Sequence, residues 1–263
     1  MDLLIKELES FREREENLRK IIRYSLYSTM WYRTNLWSHS RRSAWIVQAF
    51  SPRVQMVFES FNANKACALA LVHDDAEIIM GDIQAGNKSK MSHSELKEIE
   101  QQEERAIEVL AGHFPASLGV YEYRELLFEI LHKKSLEAVV VDWADKYDAF
   151  GEALHELYAG NGSWSIHIVN EYGVIPLPTE YYDNYFNKFA DKFPQGVDLF
   201  RADPPVFQIP QVPDIKSILK RGKLHQAFSI REKTGYDPYD FWRDITLTNG
   251  TEEDIRNLYE RKE

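Results

Sequence analysis

The feature that most constrains this chain is an apolar helix that runs directly into a histidine and two acids. Residues 66–72 read ACALALV, and His73, Asp74 and Asp75 follow at once. A helix that is apolar on every side is buried. Placing an imidazole and two carboxylates at its end is costly unless a partner such as a divalent cation pairs them. Glu77 lies three residues after Asp74, so it can face the same site.

Two further residues extend this predicted metal site. Asp145 lies in a helix predicted over residues 136–158, off its main apolar stripe but with apolar neighbours one turn away on either side. His39 follows Ser38, which is a good helix N-cap. The predicted ligands, two imidazoles and two carboxylates, are His39, His73, Asp74 and Asp145. Such a mixed nitrogen and oxygen set suits one Mn²⁺, Fe²⁺, Co²⁺ or Zn²⁺ ion, and also Mg²⁺.

Helical periodicity dominates the rest of the chain and predicts an all-α fold. Residues 3–24 are predicted as one amphipathic helix. A second helix is predicted to begin after the Ser38 cap and to be interrupted or kinked by Pro52. Ser92 and Glu95 form a capping-box pattern that opens a solvated outer helix. Further helices are predicted at residues 64–75, 120–133, 136–158 and 179–192, with only IHIVN (166–170) extended.

The chain is predicted to have two parts. Residues 1–200 form the helical core, and residues 201–263 form a proline-rich strap followed by a helical C-terminal extension. The strap is predicted because the prolines of residues 202–214 cannot continue a helix. Short helices are expected near residues 214–221, 238–246 and 251–262.

Composition excludes several classes of protein. The net charge of −10 and pI near 5.4 argue against a nucleic-acid polymer as partner, because such binding needs a basic surface. The apolar run 66–72 is far shorter than a membrane span, and the charged N-terminal segment does not resemble a secretion signal. We therefore expect a cytoplasmic protein with no membrane partner. Cys67, the single cysteine, lies in the apolar run and is predicted to be buried.

Around the predicted ligands the sequence resembles the HD-domain metal-dependent phosphohydrolases. WSHS (37–40), His73-Asp74 and WADK (143–146) match their H…HD…D signature, with gaps of 34 and 71 residues. HDDAEIIMGD (73–82) followed by Lys88 is similar to the HDxxExxxGD…K pattern of the bacterial HD-domain 5′-deoxynucleotidases. The resemblance covers about residues 15–160.

This resemblance implies a helical bundle that releases phosphate from (deoxy)nucleoside 5′-monophosphates by attack of a metal-activated water. His39, His73, Asp74 and Asp145 would hold the cation, with Asp74 also counted as catalytic. Glu77 would move the proton of the water or of the leaving group. The residues expected to contact the sugar or the phosphate are Arg23, Tyr24, Asp82 and Lys88. The family also suggests a homodimer.

Three alternatives stay open on the sequence. The same metal site could serve a nucleoside triphosphate triphosphohydrolase or a phosphodiesterase, since the pocket and not the ligand set separates these reactions. A triphosphohydrolase would need more converging Arg and Lys residues than the sequence obviously provides. A non-catalytic nucleotide-sensing module with an HD fold is the alternative from a different class.

Overall fold

The fold is that of a computed structural model, which describes residues 1–24, 30–83, 85–171, 173–175, 177–192 and 238–261. The chain divides into two compact units. Unit 1 comprises residues 1–23, 35–145 and 169–175, and unit 2 comprises residues 24–34, 146–168 and 176–263.

The described residues are mainly helical, as the sequence predicts. The helices that fall wholly within unit 1 are α1 (Asp2–Leu8), α2 (Arg14–Lys20), α3 (Leu36–Val57), α4 (Ala63–Val72), α5 (Glu77–Met80), α6 (Ala85–Lys88), α7 (His93–His113) and α8 (Tyr123–His132). The long helix α9 (Leu136–Tyr158) contributes its residues up to Asp145 to unit 1 and the remainder to unit 2. The helices α10 (Pro178–Lys192), α11 (Pro238–Asn249) and α12 (Glu252–Tyr259) belong to unit 2.

Strands are short. Strand β1 (Ser117–Leu118) pairs antiparallel with β2 (Tyr121–Glu122), and β3 (Ile168–Asn170) pairs with β4 (Gly173–Ile175). The all-α prediction is therefore confirmed, and β3 lies where the IHIVN segment was expected to be extended.

The core of unit 1 is built on α3 and α4, which pack against each other. The seven residues Ala66–Val72 are all buried, including Cys67, because α4 is covered on every side. Helix α8 also packs on α4. Phe50 of α3 meets the edge of the Trp143 ring of α9, with centroids 4.6 Å apart. This packing fixes the C-terminal end of α4, where the predicted metal ligands lie.

Unit 2 has its own core. Trp164 is fully buried and packs edge-on against Tyr24, with ring centroids 5.3 Å apart. Helix α10 joins this cluster through the buried Tyr182, and Tyr181 and Phe186 pack against it. On α11 the Trp242 indole donates a 2.7 Å hydrogen bond to the buried Asp148 carboxylate of α9. Unit 2 is thus stabilised by aromatic packing and by buried polar contacts.

The single helix predicted over residues 3–24 is wrong. The chain forms α1 and α2, which are separated by a turn in which Glu13 adopts a left-handed conformation with φ of 63°. The turn lets Phe11 pack on the Tyr123 ring at 5.1 Å. Both halves keep helical spacing of apolar residues, so their periodicity alone does not reveal the break.

Two helix boundaries also differ from the prediction. Helix α3 is capped by Asn35, whose side chain accepts from the Ser38 amide at 3.0 Å, so Ser38 lies inside the helix. The helix continues through Pro52 to Val57 and is not interrupted. Helix α4 ends at Val72, and residues 73–76 form a turn rather than the last helical residues.

Other local predictions are confirmed. The Ser92 and Glu95 capping box is present at α7. Helix α9 has the predicted bounds, and Gly160 follows it with φ of 89°. Helices α11 and α12 lie where two of the C-terminal helices were expected. The strap at 202–214 and the helix near 214–221 lie outside the described residues, so the boundary at residue 200 stays a prediction. No helix in the described ranges is long and apolar enough to cross a membrane.

Candidate metal centre and active site

The predicted ligands His73 and Asp74 lie in the turn that directly follows α4. The buried helix delivers them at a fixed position, because its last residues pack on every side. His39 comes from the second turn of α3, the helix against which α4 packs. The packing of α3 on α4 therefore brings together residues that are 34 positions apart in the sequence.

Three of the four predicted ligands form one cluster, and the fourth contacts it through His39. One donor atom from each of His39, His73 and Asp74 lies within 4.8 Å of the other two. The His39 Nε2 atom is 3.1 Å from His73 Nε2 and 3.3 Å from Asp74 Oδ2. Asp145 of α9 reaches the cluster through its Oδ1 atom, which lies 3.1 Å from His39 Nε2.

The donor chemistry of this cluster fits a divalent cation. His73 Nδ1 lies 2.7 Å from the Ala70 carbonyl oxygen, which can only accept, so Nδ1 carries the proton. In neutral His73 the Nε2 lone pair then faces His39 Nε2 and the Asp74 carboxylate. Two ligands that share one ion at bond lengths of about 2.1 Å lie roughly 3 Å apart. The observed separations of 3.1 to 3.3 Å match this value.

The orientation of His73 is itself a feature of metal sites. Metal-binding histidines usually donate their second ring N–H to a carbonyl or a carboxylate, which fixes the tautomer. Here the acceptor is a carbonyl in the last turn of α4, a group that has no partner within the helix. One hydrogen bond therefore caps the helix and aims the imidazole.

Glu77 lies at the start of α5, where its side chain is partly buried and close enough to Asp74 for their charges to interact. Its Oε2 atom has no hydrogen-bond partner among the described residues. Burial raises the pKa of Glu77 well above its ordinary value of 4.5, and the negative charges of Asp74 and Asp82 raise it further. Arg23 and Lys88 act in the opposite direction. A carboxyl group in this setting keeps its proton to a higher pH than a solvated one.

Two predicted substrate contacts lie near the ligands. The guanidinium Nη1 of Arg23 is 3.8 Å from Asp74 Oδ2, and the side chain is mostly buried. Asp82 follows α5 and interacts electrostatically with Arg23, Asp74 and His39. Its pKa is raised, chiefly because of burial, while the positive charge of Arg23 lowers it.

The other two predicted substrate contacts have different surroundings. The Lys88 ammonium forms a 3.1 Å ion pair with Glu103 of α7, so its charge is shared. Tyr24 belongs to unit 2, where its ring is buried in the apolar cluster around Trp164. Its hydroxyl donates to the Ala149 carbonyl at 3.1 Å. The role of Tyr24 in binding the sugar stays a prediction.

Sequence reasoning missed the partners of Asp75. Its carboxylate is fully buried, and it accepts from Arg14 and Tyr123 at 2.6 to 2.8 Å. The signal was present, because Asp75 belongs to the same acidic run that follows the apolar helix. Its partners could not be found from spacing, since Arg14 and Tyr123 are 61 and 48 residues away.

Comparisons with known proteins identify one family and several relatives. The sequence profile of the family described as 5′-deoxynucleotidase YfbR-like matches residues 10–171. A 5′-deoxynucleotidase from Photorhabdus temperata is 27% identical over 176 residues, which is 65% of this chain and 86% of that protein. One from Pectobacterium atrosepticum is 28% identical over 178 residues, with the same shares covered. A third, from Yersinia pestis, is 32% identical over 135 residues, covering 49% of this chain and 65% of that protein.

A solved structure also resembles this chain. It is a conserved hypothetical protein from Pyrococcus furiosus, with 20% sequence identity and a TM-score of 0.46, and the match covers 73% of this chain and 98% of that one.

A helical unit that brings His39 of α3, His73-Asp74 of the turn after α4 and Asp145 of α9 next to one another has the H…HD…D arrangement of the HD-domain metal-dependent phosphohydrolases. Within that class, the chain belongs to the YfbR-like 5′-deoxynucleotidase family, since the profile matches more than half of its length. The resemblance inferred from the sequence motifs is confirmed. Membership implies a divalent metal, and the His39, His73 and Asp74 cluster is a site that could hold one.

Proposed function

We propose that this protein is a metal-dependent phosphoric monoester hydrolase of the 5′-nucleotidase type. It releases phosphate from (deoxy)nucleoside 5′-monophosphates, the reaction class for which its relatives are named. The observation that carries the proposal is the cluster of one imidazole and two carboxylates around the Nε2 atom of His39, next to Glu77, a partly buried acid with a raised pKa.

His39, His73, Asp74 and Asp145 are proposed to hold one divalent cation. Such a cation, when bound, lowers the pKa of water and neutralises charge on phosphoryl oxygens. Imidazole and carboxylate ligands together suit Mn²⁺, Co²⁺, Fe²⁺ or Zn²⁺, and Mg²⁺ is a further candidate.

Glu77 is proposed to manage the proton. In the reaction a water oxygen forms a bond to phosphorus, the bond between phosphorus and O5′ breaks, and O5′ needs a proton. Because burial raises the pKa of Glu77, its protonated form persists into a higher pH range. That form can give its proton to O5′, and the resulting carboxylate takes one proton from the attacking water, so a nucleoside and hydrogen phosphate leave and Glu77 is protonated again.

Arg23 is proposed to meet the phosphate. Its guanidinium lies beside Asp74, and guanidinium groups bind phosphate oxygens through paired hydrogen bonds. Lys88 contributes less, since Glu103 already shares its charge. This balance favours a monophosphate over a triphosphate, because a triphosphate carries more charge to neutralise. Asp82 is proposed to hydrogen-bond the sugar, with Tyr24 as a second contact.

The test is product release from deoxy- and ribonucleoside monophosphates, triphosphates and cyclic nucleotides. Mn²⁺, Co²⁺ and Mg²⁺ are each supplied, with Asp74→Ala as the blank. Metal-dependent phosphate from monophosphates, absent in the blank, is the expected result. Tripolyphosphate from triphosphates, or opening of cyclic nucleotides, would assign the site to one of the other reactions. Nucleotide binding without any product would support the sensing module.

The assembly and the cellular location are proposed on the resemblance and on the composition. We propose a cytoplasmic homodimer that acts on a small-molecule nucleotide. Light scattering coupled to size-exclusion chromatography tests the dimer, because a monomer would elute with a mass of 30.8 kDa.

A further inference from the structure

Arg14, Asp75 and Tyr123 form a fully buried polar cluster that no step of the proposed reaction uses. Arg14 Nε donates to Asp75 Oδ2 at 2.7 Å, and Arg14 Nη2 donates to Asp75 Oδ1 at 2.6 Å. The Tyr123 hydroxyl donates to Asp75 Oδ2 at 2.8 Å. None of the three side chains is more than 1% exposed.

The cluster ties three separate segments of unit 1 to one point. Arg14 is the first residue of α2, and Tyr123 is the first residue of α8. Asp75 lies in the turn after α4, next to the predicted ligand Asp74. In the HDxxExxxGD pattern, Asp75 occupies a position where any residue is allowed, so the motif assigns it no role.

Arg14 also holds the end of α4 directly. Its Nη2 atom donates to the Leu71 carbonyl at 2.5 Å. The Val72 carbonyl accepts from the Asp75 amide at 3.0 Å, and the Ala70 carbonyl is bonded to His73. Three consecutive carbonyls that lack partners within the helix are therefore all satisfied at this end. A guanidinium here also interacts favourably with the helix dipole.

We propose that Arg14, Asp75 and Tyr123 are positioning residues that fix the turn carrying His73 and Asp74, and so set the affinity of the metal site. The inference rests on the proposed ligand role of His73 and Asp74. We refer to these three residues as the Asp75 anchor.

Stability alone does not account for charges at this place. A buried ion pair loses hydration on folding, and well-packed apolar residues of similar volume are often as stable or more stable. Apolar contacts do not specify direction, whereas the paired Arg14 bonds and the Tyr123 hydroxyl fix both the position and the rotation of Asp75. Burial and the charge of Asp75 raise the pKa of Tyr123, so its hydroxyl remains a donor. Because Asp74 directly precedes Asp75, fixing Asp75 also restricts the backbone position of Asp74.

The first test is Tyr123→Phe, which removes one hydrogen bond and leaves the Arg14 and Asp75 pair intact. Calorimetric titration of metal-free protein with Mn²⁺ at 25 °C should show an affinity about 10-fold weaker than wild type or worse, the usual effect of losing support around a ligand. The matched control is Tyr239→Phe, which loses a buried hydroxyl contact to His155 within unit 2. It should unfold at a lower temperature and bind Mn²⁺ normally.

A second variant guards against loss of folding. The combination Arg14→Met, Asp75→Leu and Tyr123→Phe removes both charges together, so that neither is left buried alone. It should remain helical by circular dichroism and bind Mn²⁺ more weakly than Tyr123→Phe does.

The outcomes separate this inference from the proposed function. If wild-type protein binds no Mn²⁺, the ligand assignment is wrong, and the proposed role of the Asp75 anchor is wrong as well. Wild-type protein that binds one ion, together with unchanged affinity in Tyr123→Phe, overturns the anchor alone. An equal loss of affinity in Tyr239→Phe overturns it too, because the effect would then be a general consequence of destabilisation.

Discussion

The Nε2 atoms of His39 and His73 face each other across 3.1 Å, although the two residues are 34 positions apart and belong to different segments. His73 uses its other nitrogen to donate to Ala70, so its neutral form presents a lone pair toward His39. Two carboxylates, from Asp74 and Asp145, lie within 3.3 Å of the same His39 nitrogen. A single proton on His39 cannot satisfy all of these acceptors, whereas one cation can.

Removing a ligand should empty the site without unfolding the protein. His73→Ala and Asp74→Ala should each lose the bound divalent ion and all detectable turnover. Elemental analysis after dialysis measures the metal content, and circular dichroism checks the fold. The matched control is Asp142→Ala on α9, which removes a carboxylate that pairs with Lys133 and is not among the predicted ligands. Full metal content in the two ligand variants would contradict the assignment.

Glu77→Gln should separate proton transfer from metal binding. The amide keeps the size of the side chain but cannot act as an acid or a base. The metal should therefore stay bound, and kcat should fall by roughly 100-fold or more. If protonated Glu77 gives its proton to O5′, wild-type activity declines as pH rises through its raised pKa. Pre-steady-state rates across pH would show that decline, and the variant should lack it.

The same substitution should change how stability depends on pH in metal-free protein. Because the folded-state pKa of Glu77 is raised above 4.5, the folded protein binds its proton more tightly than the unfolded chain does. Its contribution is fully present below pH 4.5 and is lost as pH rises through the folded-state pKa. Glu77→Gln removes this loss, so the variant should melt at a higher temperature than wild type at pH 8 and at a similar one near pH 4. Equal melting temperatures at both pH values would show that burial does not disfavour the charged form.

Arg23→Ala should weaken substrate binding more than Lys88→Ala does. A hydrogen bond to a charged group contributes about 1.5–3 kcal/mol, which corresponds to a rise in KM of roughly 10-fold or more for Arg23→Ala. Lys88→Ala should have a smaller effect, since Glu103 shares its charge. Steady-state kinetics on a nucleoside monophosphate measure both values, with the exposed Lys90→Ala as control. A larger rise in KM for Lys88→Ala than for Arg23→Ala would show that Lys88, and not Arg23, is the main phosphate contact.

Gly151→Ala should destabilise unit 2. A Cβ at Gly151 would lie 2.1 Å from Cγ of the buried Trp242, so the indole would have to move. Overpacking of this kind costs about 1–3 kcal/mol of unfolding free energy. Gly112→Ala in α7 is the control, because its Cβ meets nothing within 4 Å and should stabilise the helix by about 1 kcal/mol. Urea denaturation of both variants measures the difference.

Helix caps and helix bounds could be predicted from the sequence where they depend only on neighbouring residues. The Ser92 and Glu95 capping box and the bounds of α9 agree with the prediction, since caps and helical spacing act within a few residues. The break between α1 and α2 was missed because Phe11 packs on Tyr123, which is 112 residues away. The predicted cap of α3 was Ser38, whereas the observed cap is Asn35, a residue that caps helices equally well.

The sequence by itself determined the helical class, the buried α4 and the residue types that gather at its end. These follow from hydropathy, which acts along the chain, and from the cost of burying charge without a partner. Only the tertiary structure decided that His39 faces His73, that Arg23 lies beside Asp74, and that Asp75 turns away to Arg14 and Tyr123. Each of these relationships depends on how helices pack, and packing brings together residues whose separation in the sequence carries no distance information.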